Sequence, residues 1–291
     1  MDDSTNWRIS IQNNTIDIFT KHHCYTQKST KKKVILNRDD IRKEISNAKF
    51  YKDGTKIVRP VVAEYQENPK IEVFDGDCLS YALDLKRKEM NPIVLNMANP
   101  ENPGGGYLYG AAAQEENLFR RTNLFEYHNI QWYPFPNAGG IYSPDALVIR
   151  DNEKEKYDLL MEPVKMSFVS LAALCFPQIE EDSEDRVTLA PAAKELTRHK
   201  IRAILNIGLD NGHDSIVLSA FGCGAFRNPP GAMAQLFHEI ITNEYAGNGE
   251  SLPKTYKHIG FAIFDDERAR AWKGGEGNLL PFRKIFDNFV W

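Results

Sequence analysis

The chain has 291 residues, 42% of them hydrophobic, enough to bury a substantial core in one large domain or two small ones. Lys and Arg total 36 against 40 Asp and Glu, a net charge of -4, which excludes a protein held to nucleic acid by bulk positive charge. Any polyanionic ligand must be met by a local site.

The first stretch, MDDSTNWRISIQNNTIDIFT, carries acidic and polar groups where a secretory leader needs a basic start and an apolar run. No apolar stretch approaches the length of a membrane span. The four cysteines, Cys24, Cys78, Cys175 and Cys223, are far apart and form no CxxC pair, which argues against a zinc ribbon and a disulfide framework. The expectation is a cytoplasmic monomer, or a nuclear one if the source is eukaryotic, with no membrane partner and no cofactor.

Residues 1–60 are polar and charged and are expected to form a mostly helical accessory segment packed on a core formed by residues 61–291. Within the segment, a helix is predicted from Arg38 to Phe50, capped by Asn37 and ended by the turn signal Asp53-Gly54. His22 and His23 beside Cys24 invite a metal reading, but no second ligand cluster stands at a recognisable spacing, so no metal is expected. The basic run Lys28–Lys33 is read as a solvated surface segment rather than a contact for a phosphate polymer.

From Lys70 the character changes. Short runs rich in β-branched and aromatic residues, IEVFDGD, NPIVLNMAN, KMSFVSLAAL, HDSIVLSAFGCG and YKHIGFAIF, read as buried strands. Helices are predicted over Leu79–Lys88, Gln114–Leu124, Pro191–Leu209 and Pro230–Tyr245, the last with Pro in its first turn. Strands alternating with helices imply an α/β sheet covered on both faces, with ligands at the carboxyl ends of the strands. The acidic run Pro177–Arg186 reads as a solvated loop.

Two glycine-rich loops fall at such strand ends: Gly104-Gly105-Gly106 after IVLNMAN, and Gly222-Cys223-Gly224 after SIVLSAF. Backbone without a Cβ adopts positive φ and brings N–H groups close to a ligand, so each loop could hold something flat or anionic. Neither is a P-loop or a dinucleotide fingerprint. Seven residues after the three glycines stand Gln114, Glu115 and Glu116. Adjacent residues on a helix point about 100° apart, so one carboxylate can face a ligand while its neighbour reaches another part of it. The plainer alternative is a helix-start glutamate beside a Glu116–Arg120 pair on a wet face.

These residues carry a resemblance. GGG, a short gap and QEE, flanked by NMANPENP and RRTNL and followed at a distance by SAFGCGAFRNPP, resemble the poly(ADP-ribose) glycohydrolases, specifically their microbial-type branch. The resemblance runs from about Ile71 to Phe264, and it implies a macrodomain-like fold: a three-layer α/β/α sandwich with a mixed central sheet, residues 61–291 forming the catalytic domain. It implies hydrolysis of ribose–ribose O-glycosidic bonds in poly(ADP-ribose), with ADP-ribose as product.

Residue by residue, the resemblance makes Glu116 the acid/base, and Glu115 its partner on the hydroxyls of the ribose to be cleaved. Gly104, Gly105 and Gly106 form the catalytic loop, which Gln114 either orients by hydrogen bonding or leaves alone as a helix-surface amide. Gly222, Cys223, Gly224 and Ala225 form the diphosphate loop, with Phe226 packing over the terminal ribose. Asp77 contacts the adenine amine, and Asn99 lies near the distal ribose. Arg227 is a departure, standing where the branch often has glycine, and it puts the shape of that loop in question.

The chemistry suits the residues. Cleavage passes through an oxocarbenium-like state whose leaving hydroxyl needs a proton, which Glu116 gives before taking one from water. Cys223 as a nucleophile is the weaker reading, because no histidine can be placed beside it from sequence. Two other classes of function stand as alternatives: a hydrolase of single ADP-ribose units on protein or nucleic acid, and a non-catalytic ADP-ribose reader. The adjacent glutamates speak against a reader, since binding alone needs no acid at the ribose.

Overall fold

The computed structural model describes residues 3–57, 65, 67–184, 186–245, 255–265, 276–287 and 289. The domain boundary expected at 60/61 lies outside the described residues. Seven strands make one mixed sheet flanked by helices, so the α/β class with a mixed sheet holds. Their order is β3 (Lys49–Tyr51), β6 (Gly140–Arg150), β7 (Leu159–Leu171), β5 (Pro92–Met97), β10 (Ser215–Leu218), β11 (His258–Ile263) and β4 (Lys70–Asp75). Two further strand pairs stand apart, β1 (Cys24–Thr26) with β2 (Lys33–Ile35) and β8 (Ile179–Glu181) with β9 (Val187–Leu189).

The chain divides into two compact units. The first comprises Met1–Tyr51, Asn96–Phe135 and Ile141–Leu171. It opens with α1 (Asp3–Asp17), and α2 (Arg38–Ser46) follows the β1–β2 pair. Asn37 caps α2 as expected, its side chain accepting from the Asp39 and Asp40 amides. The predicted continuation of that helix to Phe50 is corrected: α2 ends at Ser46, and Lys49–Tyr51 is strand β3. Phe50 stacks on Trp132 with the rings 3° from parallel, which an extended backbone allows and a continued helix would turn away. Ile18, Phe19, Tyr25, Val34, Leu36, Ile41 and Ile149 form one buried apolar cluster here, so the polar first segment shares a core with β6.

Strand β6 was not evident from the sequence. Its pairing with β7 is antiparallel but slips between Ser143 and Ala146, where Asp145 has φ 46°. Ser143-Pro144-Asp145 therefore reads as a turn while serving as a bulge inside a long strand. Helix α4 (Gln114–Arg121) is shorter than predicted and gives way to a 3₁₀ turn at Leu124–Glu126.

The second unit comprises Lys52–Leu95, Pro136–Gly140 and Ala172–Trp291. Its strands pair in parallel, β10 with β5 and β11, and β11 with β4. Every residue of β10 and β11 is buried, the continuous apolar pattern expected of a sheet covered on both faces. Helices α3 (Cys78–Arg87), α5 (Pro191–Asp210), α6 (Pro230–Ile240) and α7 (Leu279–Phe286) belong to this unit. Phe261 of β11 meets Phe237 of α6 at 5.3 Å and Phe286 of α7 at 4.7 Å, ring packing that locks helices to strand.

Candidate active site

Gly104–Gly106 and α4 lie together in the first unit. The Gly106 amide donates to Glu116 Oε1 at 2.9 Å. Gly105 has φ 54°, and a Cβ on it would stand 2.7 Å from Glu116 Oε1 and 3.3 Å from Glu115 Oε2. A Cβ on Gly104 would strike the Phe119 ring at 2.4 Å, whereas Gly105 is bare because both carboxylates occupy the space a side chain would take. Both also bear on the same spot, an arrangement unlike the opposed carboxylates of most glycosidases.

Neither glutamate lies on a wet face. Glu115 is 3% exposed and Glu116 8%. Arg120, fully buried, does not turn to Glu116 but donates to the Ala111 carbonyl at 2.8 Å and to the Tyr157 hydroxyl at 3.1 Å. Glu116 Oε2 is buried with no hydrogen-bond partner among the described residues. A buried carboxylate oxygen without a donor is costly unless a ligand or a proton satisfies it.

Glu115 is held by several donors: the Asn99 amide to Oε2 at 2.8 Å, the Asn96 side-chain amide to Oε1 at 3.3 Å, and the Gly104 backbone amide. Burial outweighs them and, with the charge of Glu116 adding to it, pushes the Glu115 carboxyl up to about 8. Glu115 thus carries a proton at neutral pH.

Behind Glu115 runs a buried polar chain that sequence reasoning missed. Asn96 Nδ2 also donates to Ser170 Oγ at 3.1 Å; Ser170 Oγ meets His128 Nε2 at 3.0 Å; and His128 Nδ1 meets the Tyr133 hydroxyl at 2.6 Å. Burial lowers the imidazole to about 3, so His128 is neutral, with one ring nitrogen donating and the other accepting. A signal existed: Asn96 and Ser170 are polar residues in the middle of apolar strands, IVLNM and FVSLA.

Of the remaining expected residues, Gln114 Oε1 accepts from the Met97 amide at 2.8 Å, tying the start of α4 to the end of β5. Asn99 Oδ1 accepts from the Glu101 and Asn102 amides, each at 2.9 Å, so its side chain shapes the turn into the glycines.

Helix α1 supports α4 from its other end. Gln12 and Thr15 are fully buried and donate to the Phe119 and Arg120 carbonyls at 3.4 and 2.7 Å. Thr15 Oγ1 also accepts from Arg150 Nε at 2.8 Å. Glu153 pairs with Arg8 and accepts from the Tyr157 hydroxyl at 3.0 Å, which links the two helices through one ionic and hydrogen-bonded set.

The other expected residues belong to the second unit. Asp77 caps α3, Oδ1 accepting from the Ser80 amide at 2.7 Å. Gly222 has φ 73°, and a Cβ on it would strike Asn228 Nδ2 at 2.4 Å. Asn228 Nδ2 donates to the Leu174 and Gly222 carbonyls at 2.8 and 3.0 Å and so fixes the loop from behind. Gly224 and Ala225 are exposed, whereas the Cys223 side chain is fully buried, its thiol directed at the Phe221 carbonyl. Cys223 can thus meet a ligand only through its backbone. Phe226 is half-buried.

Among the described residues no cluster of three or more His, Cys, Asp or Glu is arranged to hold a metal, and no helix is long and apolar enough to cross a membrane. A search of curated proteins finds no match. Solved structures of similar fold include poly(ADP-ribose) glycohydrolase from Thermomonospora curvata, 24% identical, covering 97% of this chain and 100% of that one with a TM-score of 0.77. The same enzyme bound to the inhibitor ADP-HPD matches with a TM-score of 0.76 at 24% identity, over 96% of this chain and 99% of that one. The Deinococcus radiodurans poly(ADP-ribose) glycohydrolase in complex with ADP-ribose is 22% identical and covers 86% of this chain and 98% of that one, with a TM-score of 0.68. Residues 12–151, which hold the glycine loop, both glutamates and the Asn96, His128 and Tyr133 members of the buried chain, match the family described as the microbial-type PARG catalytic domain.

Proposed function

We propose that this protein hydrolyses the ribose–ribose O-glycosidic bonds of poly(ADP-ribose) and releases ADP-ribose, with Glu116 as the single acid/base. The observation that carries the reading is Glu116 itself: Oε1 is fixed by the Gly106 amide, while Oε2 is buried with no hydrogen-bond partner among the described residues. A leaving hydroxyl would satisfy the orphaned oxygen.

The steps follow from the geometry. Glu116 gives a proton to the ribose oxygen leaving the anomeric carbon, which relieves the alkoxide as the bond breaks. The oxocarbenium-like sugar then takes oxygen from water, and Glu116 accepts the water's proton, returning to its first state. The carboxyl of Glu115, protonated at neutral pH, donates a hydrogen bond to the ribose hydroxyls. In the second unit, the amides of Gly222–Phe226 are assigned the diphosphate, Phe226 the ribose and Asp77 the adenine amine. The protein acts as a monomer, without a metal.

The test uses automodified polymerase carrying labelled poly(ADP-ribose), incubated with the wild-type protein and with Glu116→Gln, the products being separated by size. Release of ADP-ribose by the wild type and none by the variant is expected. Release by Glu116→Gln at the wild-type rate would remove Glu116 from the mechanism. No release by either, with single ADP-ribose units cleaved from protein instead, would replace the substrate.

A further inference from the structure

Arg227 and Phe176 are both held at positive φ, 62° and 50°, where bulky residues rarely stand. Each is fastened by backbone bonds of the second unit: the Phe176 amide donates to the Phe226 carbonyl at 2.9 Å, and the Arg227 amide to the Gly224 carbonyl at 3.1 Å. The Arg227 guanidinium lies over the Phe176 ring, 5.2 Å from its centroid. The ring is nevertheless 62% exposed. Glycine would adopt either conformation without strain, yet the sequence places an aromatic ring and a guanidinium there, directly on the loop Gly222–Phe226.

We propose that Phe176 and Arg227 form a second nucleotide platform, which takes the neighbouring ADP-ribose unit of the polymer. The base stacks on the exposed Phe176 ring, and the phosphates of that unit pair with Arg227. An aromatic face accepts any base, and a planar guanidinium presents paired donors to phosphate. A purely structural cation–π pair accounts for the contact but not for two strained backbones in an exposed position. This proposal rests on the glycohydrolase reading, and it concerns how a polymer is held, not how the bond is cleaved.

Binding of labelled poly(ADP-ribose) and of ADP-ribose is measured on the Glu116→Gln protein, alone and with Arg227→Gly or Phe176→Gly added, and KM and kcat on long polymer are measured for each glycine change alone. Both glycine changes suit the backbone, so thermal stability is expected to hold, whereas a structural pair would lose it. Polymer affinity is expected to fall about five- to tenfold, at the lower end for one lost stacking or phosphate contact. The weakening should grow less steep with added salt in Arg227→Gly, and KM should rise while kcat and ADP-ribose affinity stay within about twofold. Unchanged polymer affinity in both variants would overturn the platform and leave the glycohydrolase intact. Failure of Glu116→Gln itself to bind polymer in preference to ADP-ribose would overturn the platform too, and unaltered turnover in that variant would separately overturn the function.

Discussion

The Gly106 amide and Glu116 Oε1 are joined at 2.9 Å, and the preceding residue, Gly105, has no room for a Cβ beside that oxygen. Gly105→Ala would put a methyl 2.7 Å from Oε1 at a φ of 54°, so either the loop or the carboxylate must move. A shift of about 1 Å in a reacting group can cost on the order of a hundredfold in rate, and kcat is expected to fall by about that factor. Backbone strain adds about 1–2 kcal/mol of destabilisation. Steady-state kinetics with a parallel thermal melt checks both; an alanine variant with near-wild-type kcat would show that the loop is not fitted to the glutamates.

Glu115 makes stability depend on pH in an unusual direction for a carboxyl. Its folded pKa is raised to about 8 from 4.5, chiefly by burial, so the folded state holds a proton that the unfolded chain has given up. The associated stability is fully present below the unfolded value and is lost as pH rises through about 8. The wild-type melting temperature should therefore decline from pH 5 to pH 9, by an amount corresponding to a few kcal/mol at most. Glu115→Gln keeps the shape without the charge and should flatten that decline. Parallel slopes for the two proteins would refute the assignment of the proton to Glu115.

Thr15 joins α1 to both α4 and β6, giving to the Arg120 carbonyl and taking from Arg150 Nε. Thr15→Val is nearly isosteric but orphans a buried carbonyl and a buried guanidinium N–H, which costs about 1–3 kcal/mol or more. The melting temperature should fall by several degrees, and kcat with it as α4 loses its support. Thr20→Val makes a suitable control, because Thr20 is exposed and its hydroxyl bonds the Ile16 carbonyl one turn back within its own helical segment. Equal effects at the two positions would mean that α1 contributes nothing specific to the catalytic helix.

The α/β class was legible because the buried parallel strands are uninterrupted apolar runs, and the glycine–glutamate spacing marked the candidate site. What stayed hidden has physical reasons. Ser143-Pro144-Asp145 disguises β6, since a bulge and a turn draw on the same residues. The helical pattern after Arg38 fades at Asn47, yet Phe50 could sit in a helix or a strand until Trp132 is in place to stack on it. His128 gave no local signal at all: its role depends on Ser170 and Tyr133, one of them 42 residues away. The two glutamates were visible as a motif, whereas the proton on Glu115 is a product of burial, which no spacing encodes.

The chain from Glu115 to Tyr133 can be interrupted at Ser170. Ser170→Ala leaves His128 Nε2 and one Asn96 donor without partners in a fully buried site, at about 1–3 kcal/mol. The freed Asn96 amide loses one of the two bonds that orient it toward Glu115, so kcat should fall while ADP-ribose affinity changes less. The histidine supplies an independent readout. Burial lowers its folded pKa to about 3 from 6.5, so the stability tied to its neutral form is present above 6.5 and is lost as pH falls toward 3. His128→Gln removes that titration, and between pH 6 and pH 4 its melting temperature should fall less steeply than that of the wild type. If Ser170→Ala melts like the wild type and His128→Gln follows the same acid limb, the chain is a set of incidental contacts and Glu115 is held by its backbone donors alone.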